Sequence, residues 1–322
     1  MAAAMAVGLC LAGMSGPALA ADKSPAGRPV IVASTGMVAD LVRAVAGDRA
    51  EVSALMGEGV DPHLYKPTRS DIARLMRADA VFINGLLLEG KMTDAFARLR
   101  ESGKPVVAVG DALPRDRLLS PPGFEGAHDP HVWMDAGLWA RALPAVRDAM
   151  TALDPAGADL YARNADAYAA KLTDLDAYAR RVLGSIPANA RALVTAHDAF
   201  NYLGRAYGIE VRGIQGISTE SEAGLKAIEE LVALLAERGI PAVFPETSVS
   251  DRNVRALVEG AAARGHAVAL GGALFSDAMG APGTYEGTYI GMIDLNVTTI
   301  ARALGGEAPA SGFQGKLTLA QR

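Results

Sequence analysis

Five histidines, His63, His128, His131, His197 and His266, are the residues of this chain best suited to metal chemistry. A neutral imidazole offers a lone pair to a metal ion at physiological pH. Two of the five end the same tripeptide, Asp61-Pro62-His63 and Asp129-Pro130-His131. Proline fixes φ ahead of each histidine and so restricts where the ring points. His197 follows a β-branched run in Val194-Thr195-Ala196-His197-Asp198. A lone histidine is more often a surface or hydrogen-bonded residue than a ligand, and the repeated tripeptide is what argues otherwise. Three imidazoles need a fourth donor. Two carboxylates follow strand-like runs: Glu246, after Val243-Phe244-Pro245, and Asp277, in Leu274-Phe275-Ser276-Asp277. Three nitrogens and a carboxylate suit zinc, and manganese or iron less exclusively.

The elements that position these residues alternate in type. Val30–Ala33, Glu51–Met56, Ala80–Asn84 and Val106–Val109 read as strands, with helical patterns such as Met37–Ala46 and Thr68–Ala78 between them. The rhythm repeats in Ala192–Thr195, Glu210–Gly213, Ala242–Phe244 and Ala267–Leu270. There the helical patterns are Glu222–Glu237, Asp251–Ala263 and Thr288–Leu304. Such alternation predicts an α/β fold with a parallel sheet in each of two lobes. Thr68 with Asp71 has the form of a capping box that starts the helix after His63. Ligands of open α/β sheets gather beyond the carboxyl ends of strands, so His63, His131 and His197 can meet in one crevice.

A long helix divides the two halves. Asp154-Pro155 reads as an N-cap followed by proline at the first helical position. Tyr161, Ala165, Tyr168, Leu172, Leu175, Ala179 and Val182 then form one apolar stripe, and Gly184 and Pro187 stop it. About 29 residues give a rod of roughly 44 Å that can tie two lobes together. The expected division is a signal peptide (1–20), a first lobe (21–153), a linking helix (154–186) and a second lobe (187–322).

Length and composition bound the function. The 322 residues allow about two domains, each able to bury its own core. The net charge of −5 argues against a strongly basic nucleic-acid binder. The single cysteine excludes a disulfide framework and Cys-rich zinc modules. Residues 1–20 carry no charge and end in Ala18-Leu19-Ala20, the small-x-small pattern of an export signal cut after Ala20. They lack the Lys or Arg of a usual leader, which leaves room for a start further upstream. Cys10 is the alternative, as the acylated residue of a lipoprotein, but Leu9 stands where such a signal wants a small residue.

Several long motifs, in order, resemble one family: GVDPHLYKPTRSD, HDPHVWMD, VTAHDAFNYLGRAYGIEVRGIQGISTESEAG and GGALFSDAMGAPGTYEGTYIGMIDLN. The chain is similar over nearly all of 29–304 to the periplasmic zinc/manganese solute-binding proteins of metal ABC importers, the TroA-like or ZnuA-like family. The resemblance implies two α/β lobes joined by a backbone helix, with metal in the cleft between them. It also implies a monomer, a permease partner in the inner membrane, a periplasmic location and Zn2+ or Mn2+ as cargo, with Fe2+ a third candidate. Carried over residue by residue, the ligands fall on His63, His131, His197 and Asp277. Glu246 then reads either as an acceptor behind a ligand histidine or as a helix-entry carboxylate near Ser250. His128 becomes a neighbour of the site, His266 a structural residue, and Trp133 and Tyr289 walls of the cleft or core. Two departures bear on the metal. The loop 111–127 (DALPRDRLLSPPGFEGA) has none of the histidines found there in many zinc-specific members, whereas manganese-specific members often carry glutamate in place of His197.

Two other functions compete. A secreted metallohydrolase would need an open coordination position and a general base, yet four protein ligands fill the site and no His-Glu-x-x-His element occurs. A binder of chelated metal or a small organic ligand would want aromatic walls, and the chain is 5% aromatic. The expected function is therefore binding and delivery, without catalysis.

Overall fold

The computed structural model describes residues 27–121 and 126–318. The expected signal segment, with Cys10, lies outside the described residues. Strands β1 (Val30–Ala33), β2 (Glu51–Ala54), β3 (Ala80–Ile83) and β4 (Val106–Ala108) form one parallel sheet in the order β2-β1-β3-β4. Around it lie helices α1 (Gly36–Ala46), α2 (Arg69–Arg77), α3 (Thr93–Glu101), α4 (Ala136–Trp139) and α5 (Leu143–Leu153). Both faces of this sheet are covered, as the period-2 pattern requires. Ile31, Ala33, Ala80 and Phe82 face the main core, whereas Val32, Val81 and Ile83 face a smaller cluster with Leu75, Phe96 and Leu99 of α2 and α3.

The long helix α6 (Ala158–Gly184) follows, then β5 (Ala192–His197), α7 (Asn201–Tyr207), β6 (Glu210–Gln215) and α8 (Leu225–Arg238). The second half ends with β7 (Ala242–Val243), α9 (Arg252–Ala263), β8 (Ala269–Leu270) and α10 (Tyr289–Ala303). β5 pairs β6, β7 pairs β8, and a parallel bridge from Thr195 to Phe244 joins the pairs into the order β6-β5-β7-β8. The two lobes therefore share one strand order, second-first-third-fourth. Among the described residues no helix is long and apolar enough to cross a membrane.

Every residue of the expected stripe on α6 is buried, joined by Tyr178 and Leu183. The helix is anchored in both halves. Asn164 Nδ2 donates to the Val45 carbonyl of α1 (2.9 Å), Tyr168 bonds Asp40 of α1, and Tyr178 meets Thr298 of α10 at 2.7 Å. Its start differs from expectation. Pro155–Gly157 is a 3-10 turn, and the α-helix begins at Ala158. The Asp154 carboxylate takes Arg49 (2.7 and 3.0 Å) and the Tyr161 hydroxyl (2.6 Å), a charge-assisted set that outcompetes capping. At 27 residues the rod is about 40 Å long. Strand limits also shift. β5 runs on through His197 because Gln215 pairs with it, and β7 shortens to two residues between Pro241 and Pro245.

Candidate metal centre

Loops at the carboxyl ends of the strands carry four side chains to one buried point between the lobes. His63 lies in the loop between β2 and α2, whose capping box of Thr68 and Asp71 is formed. His131 follows β4 and opens the 3-10 turn Val132–Met134. His197 is the last residue of β5, and Asp277 lies between β8 and α10. Asn296 of α10 fixes that last loop by accepting from the Phe275 N–H (2.9 Å) and donating to its carbonyl (2.7 Å). Gly213 permits the close approach at the His197 corner, because a Cβ there would lie 2.4 Å from the Asp198 nitrogen.

His63, His131, His197 and Asp277 each present a donor atom within 4.8 Å of all the others, and all four are buried. His63 Nε2 lies 3.3 Å from His131 Nε2. Asp277 brings Oδ1 to 3.3 Å from His131 Nε2, and Oδ2 to 3.2 Å from His197 Nε2 and 3.9 Å from His63 Nε2. Two nitrogens bound tetrahedrally at ~2.0–2.1 Å stand about 3.3 Å apart, so this spacing fits one transition-metal ion. His197 Nε2 and both Asp277 oxygens are buried without a hydrogen-bond partner. Buried polar atoms that approach so closely without hydrogen-bond geometry are costly unless a cation satisfies them.

Two of the rings are held from behind. Asp129 Oδ1 accepts from the His131 backbone N–H (3.0 Å) and from Nδ1 (2.8 Å). Glu246 accepts from the His197 backbone N–H with Oε1 (2.8 Å) and from Nδ1 with Oε2 (2.5 Å). Each carboxylate thus fixes the tautomer and leaves the Nε2 lone pair for the shared point, the arrangement found behind metal-binding histidines generally. His63 is held through its backbone instead, by Asp61 Oδ1 at 2.8 Å. In both Asp-Pro-His elements, then, the aspartate accepts from the histidine N–H two residues on, an Asx turn.

The charges follow this geometry. Burial pushes His63 down to about 4. Burial also opposes a charge on His131, but Asp129 and Asp277 outweigh it and raise that ring to about 9. His197 is likewise raised, with Glu246 and Asp277 overcoming burial. Burial alone would raise Asp277; His197 and His131 beside it hold its carboxyl well below the ordinary range.

The remaining residues sort clearly. Glu246 stands behind His197, so its reading as a helix-entry carboxylate is set aside. His128 turns to Ser120 Oγ (2.9 Å), and His266 Nε2 to the Ile240 carbonyl (2.8 Å). Trp133 packs edge-on against His131 and donates to the Ser276 carbonyl (2.9 Å), binding the two lobes beside Asp277. Tyr289 in turn donates to the Trp133 carbonyl (2.7 Å). Sequence reasoning did not identify Asp129 as a carboxylate behind His131. The signal was present, since aspartate precedes histidine by two residues in both tripeptides.

Known proteins are similar to this chain along nearly its whole length. The family model described as zinc-uptake complex component A, periplasmic, matches residues 31–303. The chain is 47% identical to the zinc-binding protein TroA of Treponema pallidum over 283 residues, 88% of this chain and 91% of that one. It is 45% identical to the manganese-binding lipoprotein MntA of Bacillus subtilis over 284 residues, covering 88% and 92%. The iron-binding protein YfeA of Yersinia pestis is 32% identical over 275 residues, covering 85% and 86%. The solved structure of the Treponema pallidum protein superimposes with a TM-score of 0.83 over 86% of this chain and 99% of that one. With a family model spanning both lobes and relatives this similar over nearly their whole length, the chain belongs to the periplasmic zinc-uptake component A (ZnuA/TroA) family.

Proposed function

We propose that this protein captures one divalent transition metal outside the cytoplasmic membrane and delivers it to the permease of an ABC importer. His63, His131, His197 and Asp277 are its ligands. The observation that carries this reading is the set of buried donor atoms that face one another, three of which, His197 Nε2 and both Asp277 oxygens, have no hydrogen-bond partner. Relatives named for zinc, manganese and iron share the fold, so Zn2+, Mn2+ and Fe2+ are all candidates for the cargo. The His₃Asp set favours zinc at equilibrium, as imidazole nitrogens do. Binding without chemistry is also what four protein ligands on one ion imply, because a catalytic metal keeps a position open.

The same reading divides the chain at the ends of the long helix, into lobes 21–153 and 187–322 around 154–186, and takes the protein as a monomer. Export by a signal cut after Ala20 gives a mature chain starting at Ala21, whereas acylation would fall on Cys10. The intact mass of the exported protein distinguishes these. The test of function is titration of chelator-treated protein with zinc and with manganese. The expected result is one ion per chain and a rise in melting temperature with metal, since an ion that binds the folded state stabilises it by mass action. A chain that holds no metal after dialysis refutes the reading.

A further inference from the structure

Both aspartates of the Asp-Pro-His elements reach across the cleft. Asp129 uses Oδ1 for His131 and Oδ2 for Asn201 Nδ2 of α7 (3.1 Å). Asp61 uses Oδ1 for the His63 N–H and Oδ2 for the Thr219 hydroxyl (2.6 Å). Each thus holds its own histidine and a side chain of the opposite lobe at once. Their partners differ. Asn201 opens a helix, and its neighbour Tyr202 donates to the Asp129 carbonyl (2.8 Å), so that contact is reinforced. Thr219 sits in the 216–224 segment between β6 and α8, which has no regular structure. The segment is braced internally by Gln215 Nε2 on the Ser221 carbonyl (3.2 Å). Beside Thr219, Glu220 pairs with Lys91 of the first lobe at 2.6 Å, with both side chains well exposed. Gln215, where the segment starts, is the strand partner of His197. One strap therefore runs from the His197 corner to the residue that fixes His63.

We propose that Asp61 and Thr219 form a clasp that ties the placement of His63 to closure of the 216–224 strap, so that metal leaves when this clasp opens. Asp61 is here a positioning residue. It acts through His63, whose ring is not held from behind by a carboxylate as those of His131 and His197 are. The inference rests on the four-ligand reading above. Removing the clasp deletes one largely buried hydrogen bond and leaves every ligand in place.

Protein loaded with zinc is mixed with excess chromogenic chelator, and release is followed by stopped flow. Thr219→Val is expected to release zinc about five- to tenfold faster, the equivalent of one hydrogen bond. Thr219→Ser, which restores the hydroxyl, is expected to release at the wild-type rate. Lys91→Met removes an exposed ion pair and is expected to change release about twofold, an effect that high salt abolishes. The metal-free Thr219→Val chain should remain folded by circular dichroism, and the recovery of slow release in Thr219→Ser separates the clasp from a general loss of stability. Wild-type release from Thr219→Val, or equally fast release from Thr219→Ser, overturns the clasp. A wild-type chain that retains no zinc before chelator is added overturns the ligand assignment itself, a separate result.

Discussion

The two lobes each place a buried glutamate in the crevice between their first and third strands, and use it differently. In the first lobe Glu89 accepts from the Ser34 hydroxyl (2.5 Å), the Asn84 N–H (2.8 Å) and the Gly85 N–H (3.2 Å). It thereby holds a left-handed turn in which Leu86 and Leu87 stand at φ of 53° and 65°. Such backbone costs of order 1–3 kcal/mol per residue and persists where surrounding bonds impose it. In the second lobe Glu246 accepts from the backbone and ring of His197 and turns that ring toward the cleft. One topology with a crevice at the same switch point thus yields a brace for a turn in the first lobe and, in the second, an imidazole aimed at the buried histidine–aspartate cluster. What differs is the group that meets the glutamate: backbone N–H groups of a turn in the first lobe, an imidazole in the second.

The largest test of this contrast is removal of the donors. Asp277→Ala, His131→Ala and His197→Ala each delete a proposed ligand and disrupt the buried cluster. Affinity should drop more than about 100-fold, with little metal retained after dialysis. Near-normal metal content in any of them would break the assignment. Next is pH. His131, at about 9, and His197, also raised, hold protons that an arriving ion must displace, whereas His63 at about 4 does not compete near neutrality. Affinity should therefore fall as pH drops below about 9, by roughly ten- to a hundredfold per unit for one to two displaced protons. Calorimetry in buffers of different ionisation enthalpy should count roughly two protons released per ion. The same shifts stabilise the metal-free fold below the ordinary imidazole range, and that contribution is lost as pH rises through about 9. Metal-free melting curves between pH 6 and about 10 check it.

Smaller effects sharpen the comparison of the two glutamates. Glu246→Gln should weaken metal binding on the order of tenfold through loss of control over the His197 ring. Glu89→Gln should leave metal affinity intact and lower stability by about 1–3 kcal/mol, because an amide N–H₂ must face a buried N–H. Equal metal loss in both variants would show that the crevices are not specialised. The smallest effect is expected for His266→Ala, which loses one bond to the Ile240 carbonyl, worth about 1 kcal/mol, and retains its metal.

Much of this was legible in the sequence. The repeated Asp-Pro-His singles out His63 and His131, and the strand before His197 marks the third ring. Spacing alone left Glu246 and Asp277 open, for a physical reason: both follow strands of one sheet, and both do lie at the site, one behind a ring and one among the donors. The stripe on α6 fixed the long helix, but its first turn was misread. Local rules see Asp154 before Pro155 and cannot see Arg49, 105 residues away, claiming the carboxylate. The Thr219–Asp61 contact spans 158 residues and has no periodicity to announce it. Short strands such as β7 owe their existence to neighbours more than to their own residues.

The carboxylates gathered around the three rings have an electrical consequence. Counted at formal charge, Asp129, Glu246 and Asp277 are three anions. With His131 and His197 raised toward the protonated form, these five side chains together carry one net negative charge in the metal-free state. Exchanging both protons for a divalent ion leaves the same single charge. Loading is then an exchange at constant charge, and it adds no further uncompensated ion to a low-dielectric interior, where each costs several kcal/mol. A monovalent or trivalent ion cannot make that trade with the same two protons. The raised His131 and His197 thus couple the loading of a divalent ion to the loss of protons, and leave the choice among divalent elements to bond lengths and coordination number.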